Sequence, residues 1–315
     1  QVFFSSPWSR PHIHFSAAVM PTMGPCCRCG ACATSSSRLD FQLDDTLWKE
    51  TFSKPGGLVG ARGCLSPVAF LAARILILLV WLSCCVWSTV DWFGFADYGY
   101  WWTKLTHWGA VLELAYFAFA AFSTYQAIFG KVADGLGGKT PWFVSVTWCL
   151  SAAAPVIAFL VAVLYWVLVY EPGPGGPSMI SVVMHGGNLA IVLVDMALSR
   201  QPYYIWHVYV PLLVALLYVA FTLIYYLAGG TSEDGTSRYI YSAVDWSQPV
   251  STGTLVGLIV LIGVPVAYAI FFTIVMCRMC CRRSAEASEK QVDEDGAEKS
   301  CGPIYPEIVG AKIER

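Results

Sequence analysis

The chain has 315 residues, of which 57% are hydrophobic and 13% are charged, against roughly 45–50% and 25% in ordinary soluble domains. A soluble protein of this length could not bury so much apolar surface behind so few charges, so the composition excludes a soluble globular protein. The net charge of -2 gives no indication of nucleic acid as a partner. The lipid bilayer is the partner that the composition predicts, and protein partners stay unknown.

Six apolar runs are long enough to cross a bilayer, which takes about 20 helical residues. In chain order they are residues 67–87, 108–129, 142–170, 179–198, 203–228 and 252–276. The fourth and fifth runs are joined by a short link that contains Pro202, which predicts an antiparallel helical hairpin. The sequence therefore predicts an all-α bundle of six transmembrane helices over residues 67–276.

Lysine and arginine are concentrated at one end of this predicted bundle. The loops at that end contain Lys131, Lys139 and Arg200, and both flanking segments at that end are basic near the membrane. Because cytosolic loops are enriched in Lys and Arg, we predict that both termini are cytosolic. Residues 1–66 are expected to be largely irregular, with a short helix near residues 39–52. Residues 277–315 are polar and are expected to be largely disordered.

Most of the twelve cysteines are not placed to form disulfides, since they lie in predicted spans or in the reducing cytosol. Three follow the last span directly and are candidate acylation sites: Cys277, Cys280 and Cys281. The cluster at residues 26–32 contains a single C-x-x-C pair, whereas a zinc site usually has a second half. We therefore predict neither a metal nor a cofactor.

Polar side chains occur on three of the predicted spans, where an ionisable group costs roughly 2.5–3.5 kcal/mol on insertion scales. They are Thr106 and Glu113 on the second span, His185, Asn188 and Asp195 on the fourth, and His207, Pro211, Tyr218, Thr222 and Tyr225 on the fifth. Each set falls on one helix face, so the three faces are expected to meet. They form either a polar cavity with a catalytic or binding centre, or interhelical hydrogen bonds that fix the packing.

Four runs resemble the rolling stone family of animal membrane proteins. They are YWWTKLTHWG at 100–109, MHGGNLAIVLVDMALSRQP at 184–202, FTLIYYLAGGT at 221–231 and SRYIYSAVDWSQP at 237–249. The resemblance implies a role in cell–cell processes such as myoblast fusion, without demonstrable catalysis. It also implies a plasma-membrane location, with the endoplasmic reticulum as the alternative. This is our leading interpretation.

The family is more distantly similar to the androgen-induced transmembrane hydrolases, which cleave fatty-acid esters of hydroxy fatty acids with a Thr nucleophile and a His. Leu105-Thr106 matches their Leu-Thr, and His185-Gly186-Gly187-Asn188 matches their His-Gly-x-His. Asn188 therefore occupies the position of the catalytic His, and an amide cannot accept the hydroxyl proton of the nucleophile. The remaining candidate bases are His185 and His207, with Asn188 steadying the oxyanion.

This similarity supports an alternative function, an intramembrane Thr-dependent lipid-ester hydrolase with Thr106 as nucleophile. A third interpretation is a small-molecule or proton carrier that uses Glu113, His185 and Asp195. The carrier is disfavoured because the six spans show no internal repeat, which many carriers have.

Overall fold

The structure is a computed structural model that describes residues 45–56, 65–93, 98–130 and 140–279. Within these ranges it is helical and contains no strand. We label its long helices α1 Asp45–Ser53, α2 Pro67–Phe93, α3 Leu105–Phe129, α4 Trp142–Val169, α5 Met179–Leu198, α6 Ile205–Leu227 and α7 Pro249–Met279. A single helical turn, Tyr98–Trp101, precedes α3.

Helices α2 to α7 are each long and apolar enough to span a membrane. Their outer faces expose large apolar side chains such as Leu76, Leu216 and Leu261, which suits contact with acyl chains. The prediction of an all-α bundle with six spans is thus confirmed. Helix α3 begins earlier than predicted, at Leu105, because the polar residues around Lys104 lower the hydropathy of a turn that is nevertheless helical.

Helices α3 and α4 form the centre of the bundle. Helix α3 packs against α1, α2 and α4, and α4 packs in turn against α5 and α6. Small residues at 151–154 let the neighbouring helices approach α4 closely. The buried core around them includes large side chains such as Trp81, Phe117 and Tyr268.

The bundle has two ends, which we name after one residue each. The Thr106 end contains the beginning of α3 and the segment 228–248. The Arg74 end joins α1, α5 and α7: the Gly56 N–H donates to the Leu198 carbonyl at 2.6 Å, and Arg278 donates to the Met196 carbonyl. The last residues of α7 therefore lie at the same end as α1. That this end is cytosolic stays a prediction.

Three π-helical turns interrupt the spans. They are Tyr165–Val169 in α4, Val183–Gly187 in α5 and Ile259–Gly263 in α7. Such turns insert one extra residue into a helix and frequently mark functional sites. All three contribute side chains to one cavity at the Thr106 end, so the irregularities of three helices converge on one place.

Parts of the sequence predictions fall outside the described residues. The helix predicted near residues 39–52 is present as α1, but residues before 45 are not described. Cys277 lies exposed near the end of α7, whereas Cys280, Cys281 and the rest of the tail lie outside the described part of the chain. Acylation of these cysteines stays a prediction.

Candidate functional site

Thr106 and His185 are in hydrogen-bond contact at the Thr106 end. The Nε2 atom of His185 lies 3.1 Å from Oγ1 of Thr106. Thr106 is the second residue of α3, and His185 sits in the π-helical turn of α5. The structure thus brings together two predicted site residues that are 79 positions apart in the sequence.

The imidazole of His185 is held in one orientation. Its Nδ1 lies 2.8 Å from the Ser181 carbonyl oxygen, and because a carbonyl can only accept, Nδ1 carries the proton. The lone pair of Nε2 therefore faces the Thr106 hydroxyl, which donates to it. The ring of Tyr165 stacks on the imidazole at 3.4 Å between centroids and 5° between planes. This is the geometry of a nucleophile with an oriented general base.

The pair faces a cavity of about 310 Å³ between α3, α4, α6 and α7. The polar side chains of its wall are Lys104, Thr106, His107, Tyr165, Ser181, His185, Tyr218, Thr222 and Tyr241. Most of the remaining wall is aliphatic and includes Ile157, Leu160, Val161, Leu164, Leu255 and Ile259. A largely apolar cavity with a few convergent polar groups is the usual form of a small-molecule site.

The segment 228–248 contributes Tyr241 to this wall. The Leu105 N–H donates to the Tyr241 hydroxyl at 3.1 Å. The Lys104 ammonium lies over two rings, 4.7 Å from the centroid of Tyr100 and 4.9 Å from that of Tyr241. Burial lowers the pKa of Lys104, and burial raises the pKa of Tyr241 to about 12. The phenol of Tyr241 therefore keeps its proton at neutral pH.

Glu113 and Asn188 lie deeper in the bundle and not in the wall of this cavity. Asn188 lies beside the Glu113 carboxyl group, although no hydrogen bond of standard geometry reaches either carboxyl oxygen. The side-chain oxygen of Asn188 accepts the N–H of Leu189 at 2.7 Å. Position 188, where the distant resemblance places a catalytic histidine, thus faces Glu113 instead of Thr106.

His207 lies towards the Arg74 end, among the rings of Trp148 and Tyr204 at 5.4 and 5.3 Å between centroids. Along α6 it precedes Tyr218, which lines the cavity, by about 16 Å of helix rise at 1.5 Å per residue. The structure therefore separates His207 from Thr106. Of the two candidate bases, His185 is the one that contacts Thr106.

Asp195 belongs to a buried network at the Arg74 end. The Nε of Arg74 donates to Oδ1 of Asp195 at 3.1 Å, and the Tyr116 hydroxyl donates to Oδ2 at 2.5 Å. Nη1 of Arg74 donates to Oγ1 of Thr124 at 2.7 Å. The Arg74 guanidinium also lies 4.6 Å from the centroid of the Phe70 ring. The network ties α2, α3 and α5 together.

Comparison with known proteins gives the chain its family. The sequence model described as "Protein rolling stone" matches residues 68–288. The chain belongs to the rolling stone family. Protein rolling stone of Drosophila melanogaster is 31% identical to it over 132 residues, which are 41% of this chain and 48% of that protein. The chain thus matches about half the length of this relative. No solved structure matches it.

The family match confirms the resemblance expected from the four sequence runs, and it covers both members of the Thr106–His185 pair. The sequence of this rolling stone chain did not point to three residues of the Thr106–His185 site and the Asp195 network: Arg74, Tyr165 and Tyr241. Arg74 had a clear signal, because an arginine inside an apolar run is rare. The two tyrosines had none, because aromatic residues are frequent throughout the chain.

Proposed function

We propose that this member of the rolling stone family is an intramembrane hydrolase that cleaves acyl esters of lipids, with Thr106 as nucleophile and His185 as general base. The observation that carries the proposal is the 3.1 Å contact between Nε2 of His185 and Oγ1 of Thr106 on the wall of an apolar cavity. Hydrolysis is the alternative function from the sequence analysis, where a role in cell–cell processes was the leading interpretation.

In the first half-reaction, the Thr106 oxygen attacks the ester carbonyl carbon and its proton passes to Nε2 of His185. A tetrahedral intermediate forms, and its collapse breaks the bond between the carbonyl carbon and the alkoxy oxygen. The imidazolium gives its proton to that oxygen, which leaves as an alcohol. Thr106 then carries the acyl group, and His185 is neutral again.

In the second half-reaction, a water molecule attacks the acyl-threonine while His185 takes its proton. The carboxylic acid leaves, and the proton returns from His185 to the Thr106 oxygen. The net reaction is ester plus water to acid plus alcohol. The Ser181 carbonyl keeps Nδ1 protonated throughout, in the orienting role that a carboxylate has in catalytic triads.

The cavity supports lipids as the substrate class. Its wall is mainly aliphatic, and His185 and Tyr241 lie next to Thr106. An acyl chain would bury apolar surface against α4 and α7, at roughly 25 cal/mol per Å² removed from water. The ester group would then lie beside the Thr106–His185 pair.

The cell–cell role expected from the family resemblance is a second candidate, favoured by family membership itself. The cell–cell role can be tested separately from hydrolysis. A cell-fusion assay with Thr106→Ala measures whether that role depends on the proposed nucleophile. The carrier alternative has less support, since the Asp195 carboxylate is engaged by Arg74 and Tyr116.

A fluorophosphonate probe, which reacts with activated hydroxyl nucleophiles, tests the proposal. We expect wild-type membranes to be labelled and to release fatty acid from long-chain esters, and both signals to be lost in Thr106→Ala. Thr254→Ala is the matched control, because Thr254 is exposed on α7 and bonds only to the Val250 carbonyl. Labelling that survives in Thr106→Ala, or wild type that is inert in both assays, would overturn the proposal.

A further inference from the structure

Tyr241 stands out because its hydroxyl group lies at the beginning of α3, next to the proposed nucleophile. It shares the cavity wall with Thr106 and His185. The hydroxyl oxygen accepts the Leu105 N–H at 3.1 Å and also lies against the backbone and side chain of Thr106. A group in this position would touch the ester that Thr106 attacks.

The hydroxyl proton of Tyr241 can turn from a neighbouring hydroxyl oxygen to a stronger acceptor. The Tyr241 oxygen accepts the Leu105 N–H, and the hydroxyl also makes side-chain hydrogen-bond contact with Tyr218 and Thr106. A neutral hydroxyl oxygen is a weaker acceptor than an oxyanion, which would take over the Tyr241 proton. The neighbouring hydroxyl of Tyr218 is already committed, since it donates to the Thr103 carbonyl at 2.8 Å. Accepting an N–H bond also polarises the phenol and makes it a better donor.

The segment that carries Tyr241 is fixed at several points. The Tyr100 hydroxyl donates to the Ile240 carbonyl at 3.0 Å. The Val244 N–H donates to the Tyr241 carbonyl at 2.9 Å, and Nε1 of Trp246 donates to Oγ1 of Thr222 at 3.2 Å. A donor held in place before the reaction stabilises developing charge without reorganising, which is the main requirement for an oxyanion site.

Lys104 and the beginning of α3 place positive charge near Tyr241, and Glu233 interacts with Lys104. The Lys104 ammonium lies 4.9 Å from the centroid of the Tyr241 ring. Thr106 is in the first turn of α3, where N–H groups have no carbonyl partner within the helix and carry partial positive charge. An oxygen that becomes negative in the cavity beside Thr106 would therefore meet a phenol O–H, with the positive end of α3 and a cation nearby.

We infer that Tyr241 is a catalytic residue whose hydroxyl donates a hydrogen bond to the oxyanion formed when Thr106 attacks an ester. The inference rests on the proposed hydrolase function and assigns to Tyr241 the oxyanion role that the hydrolase hypothesis gave to Asn188.

The test compares Tyr241→Phe with Tyr239→Phe in the purified full chain. Tyr239 lies on the same segment but does not line the cavity, so its variant is the matched control. The measurements are kcat and KM for a long-chain acyl p-nitrophenyl ester, and the inhibition constants of a long-chain trifluoromethyl ketone and of the fatty acid product. The ketone forms a tetrahedral adduct that needs the oxyanion donor, whereas the product does not.

For Tyr241→Phe we expect kcat to fall by about 10²- to 10³-fold, as on loss of one oxyanion donor, and the ketone to bind more weakly by a similar factor. KM and product binding should stay as in wild type. Active sites are counted by the end point of fluorophosphonate labelling, so that unfolded protein does not enter the rates. Tyr241→His, which keeps a ring donor, should recover part of kcat.

Three results would overturn the inference, and they differ in whether the proposed hydrolase function is also lost. A kcat for Tyr241→Phe equal to that of Tyr239→Phe would remove the Tyr241 role and leave the hydrolase intact. A parallel loss of kcat, substrate affinity and product affinity would show that Tyr241 only caps α3. A wild-type protein without turnover or labelling would overturn the hydrolase, and the role of Tyr241 with it.

Discussion

The Nε of Arg74 lies 3.1 Å from Oδ1 of Asp195, and the two side chains are only 1% and 0% exposed. This ion pair links α2 to α5 inside a membrane-spanning bundle. Replacing Arg74 by Met would leave a buried carboxylate without its cation. We expect Arg74→Met to cost about 3–5 kcal/mol of stability, measured as a lower Tm in detergent.

Two further variants separate the ion pair from a general effect of losing an arginine. In the double variant Arg74→Met/Asp195→Leu both charges are gone, and we expect most of the lost Tm to return. In Arg238→Met, which removes an exposed arginine, the change should be about 0–1 kcal/mol. A double variant as unstable as Arg74→Met would contradict the assignment of the effect to the pair.

The Thr106–His185 contact predicts which position carries the base. His185→Gln removes the proton acceptor of Thr106 and should lower ester turnover by about 10²- to 10⁴-fold. Asn188→His should neither raise wild-type turnover nor rescue His185→Gln, because position 188 lies beside Glu113. Initial rates per labelled active site measure both. Increased turnover in Asn188→His would mean that this position reaches Thr106.

The close backbone contact of Gly56 holds the end of α1 against α5 at the Arg74 end. A Cβ atom at this position would lie 2.1 Å from the Ser199 carbonyl oxygen, while the Gly56 N–H is bonded to the Leu198 carbonyl. We expect Gly56→Ala to cost about 1–3 kcal/mol, as overpacking does, and to speed hydrogen exchange in α1. Gly253→Ala is the control, since nothing lies within 4 Å of a Cβ there. Equal exchange in the two variants would argue against this docking.

The fold was predictable because hydropathy is a strong signal over 20 residues. The contact between Thr106 and His185 was only half predictable: the residue types and helix faces pointed to both, but the π-helical turn that orients His185 has no sequence signature of its own. Asn188 and His207 lie on the same polar helix faces that led to Thr106 and His185, so the sequence alone did not distinguish them from this pair. Only the depth of each residue along its helix separates them, and that depends on how the helices are staggered.

Arg74 and Tyr241 show two different limits of what can be predicted from the sequence. Arg74 was visible as a cation in an apolar run, and its partner Asp195 was identified as a polar position, but nothing local relates residues 121 positions apart. Tyr241 lies in a segment between spans, where aromatic residues are expected at the membrane surface in any case. Its significance depends on the Leu105 N–H that it contacts.

The last prediction concerns which end of the bundle faces the cytosol. The segment between α4 and α5 contains Gly175 and Gly176, both at positive φ with open space around them, so an epitope inserted there should leave the fold intact. By the distribution of Lys and Arg, we expect antibody to stain this epitope on intact cells, and a tag after residue 315 only after permeabilisation. The reverse pattern would contradict the cytosolic termini. Staining of both only after permeabilisation would place the protein in an internal membrane, and selective permeabilisation of the plasma membrane would then decide the orientation.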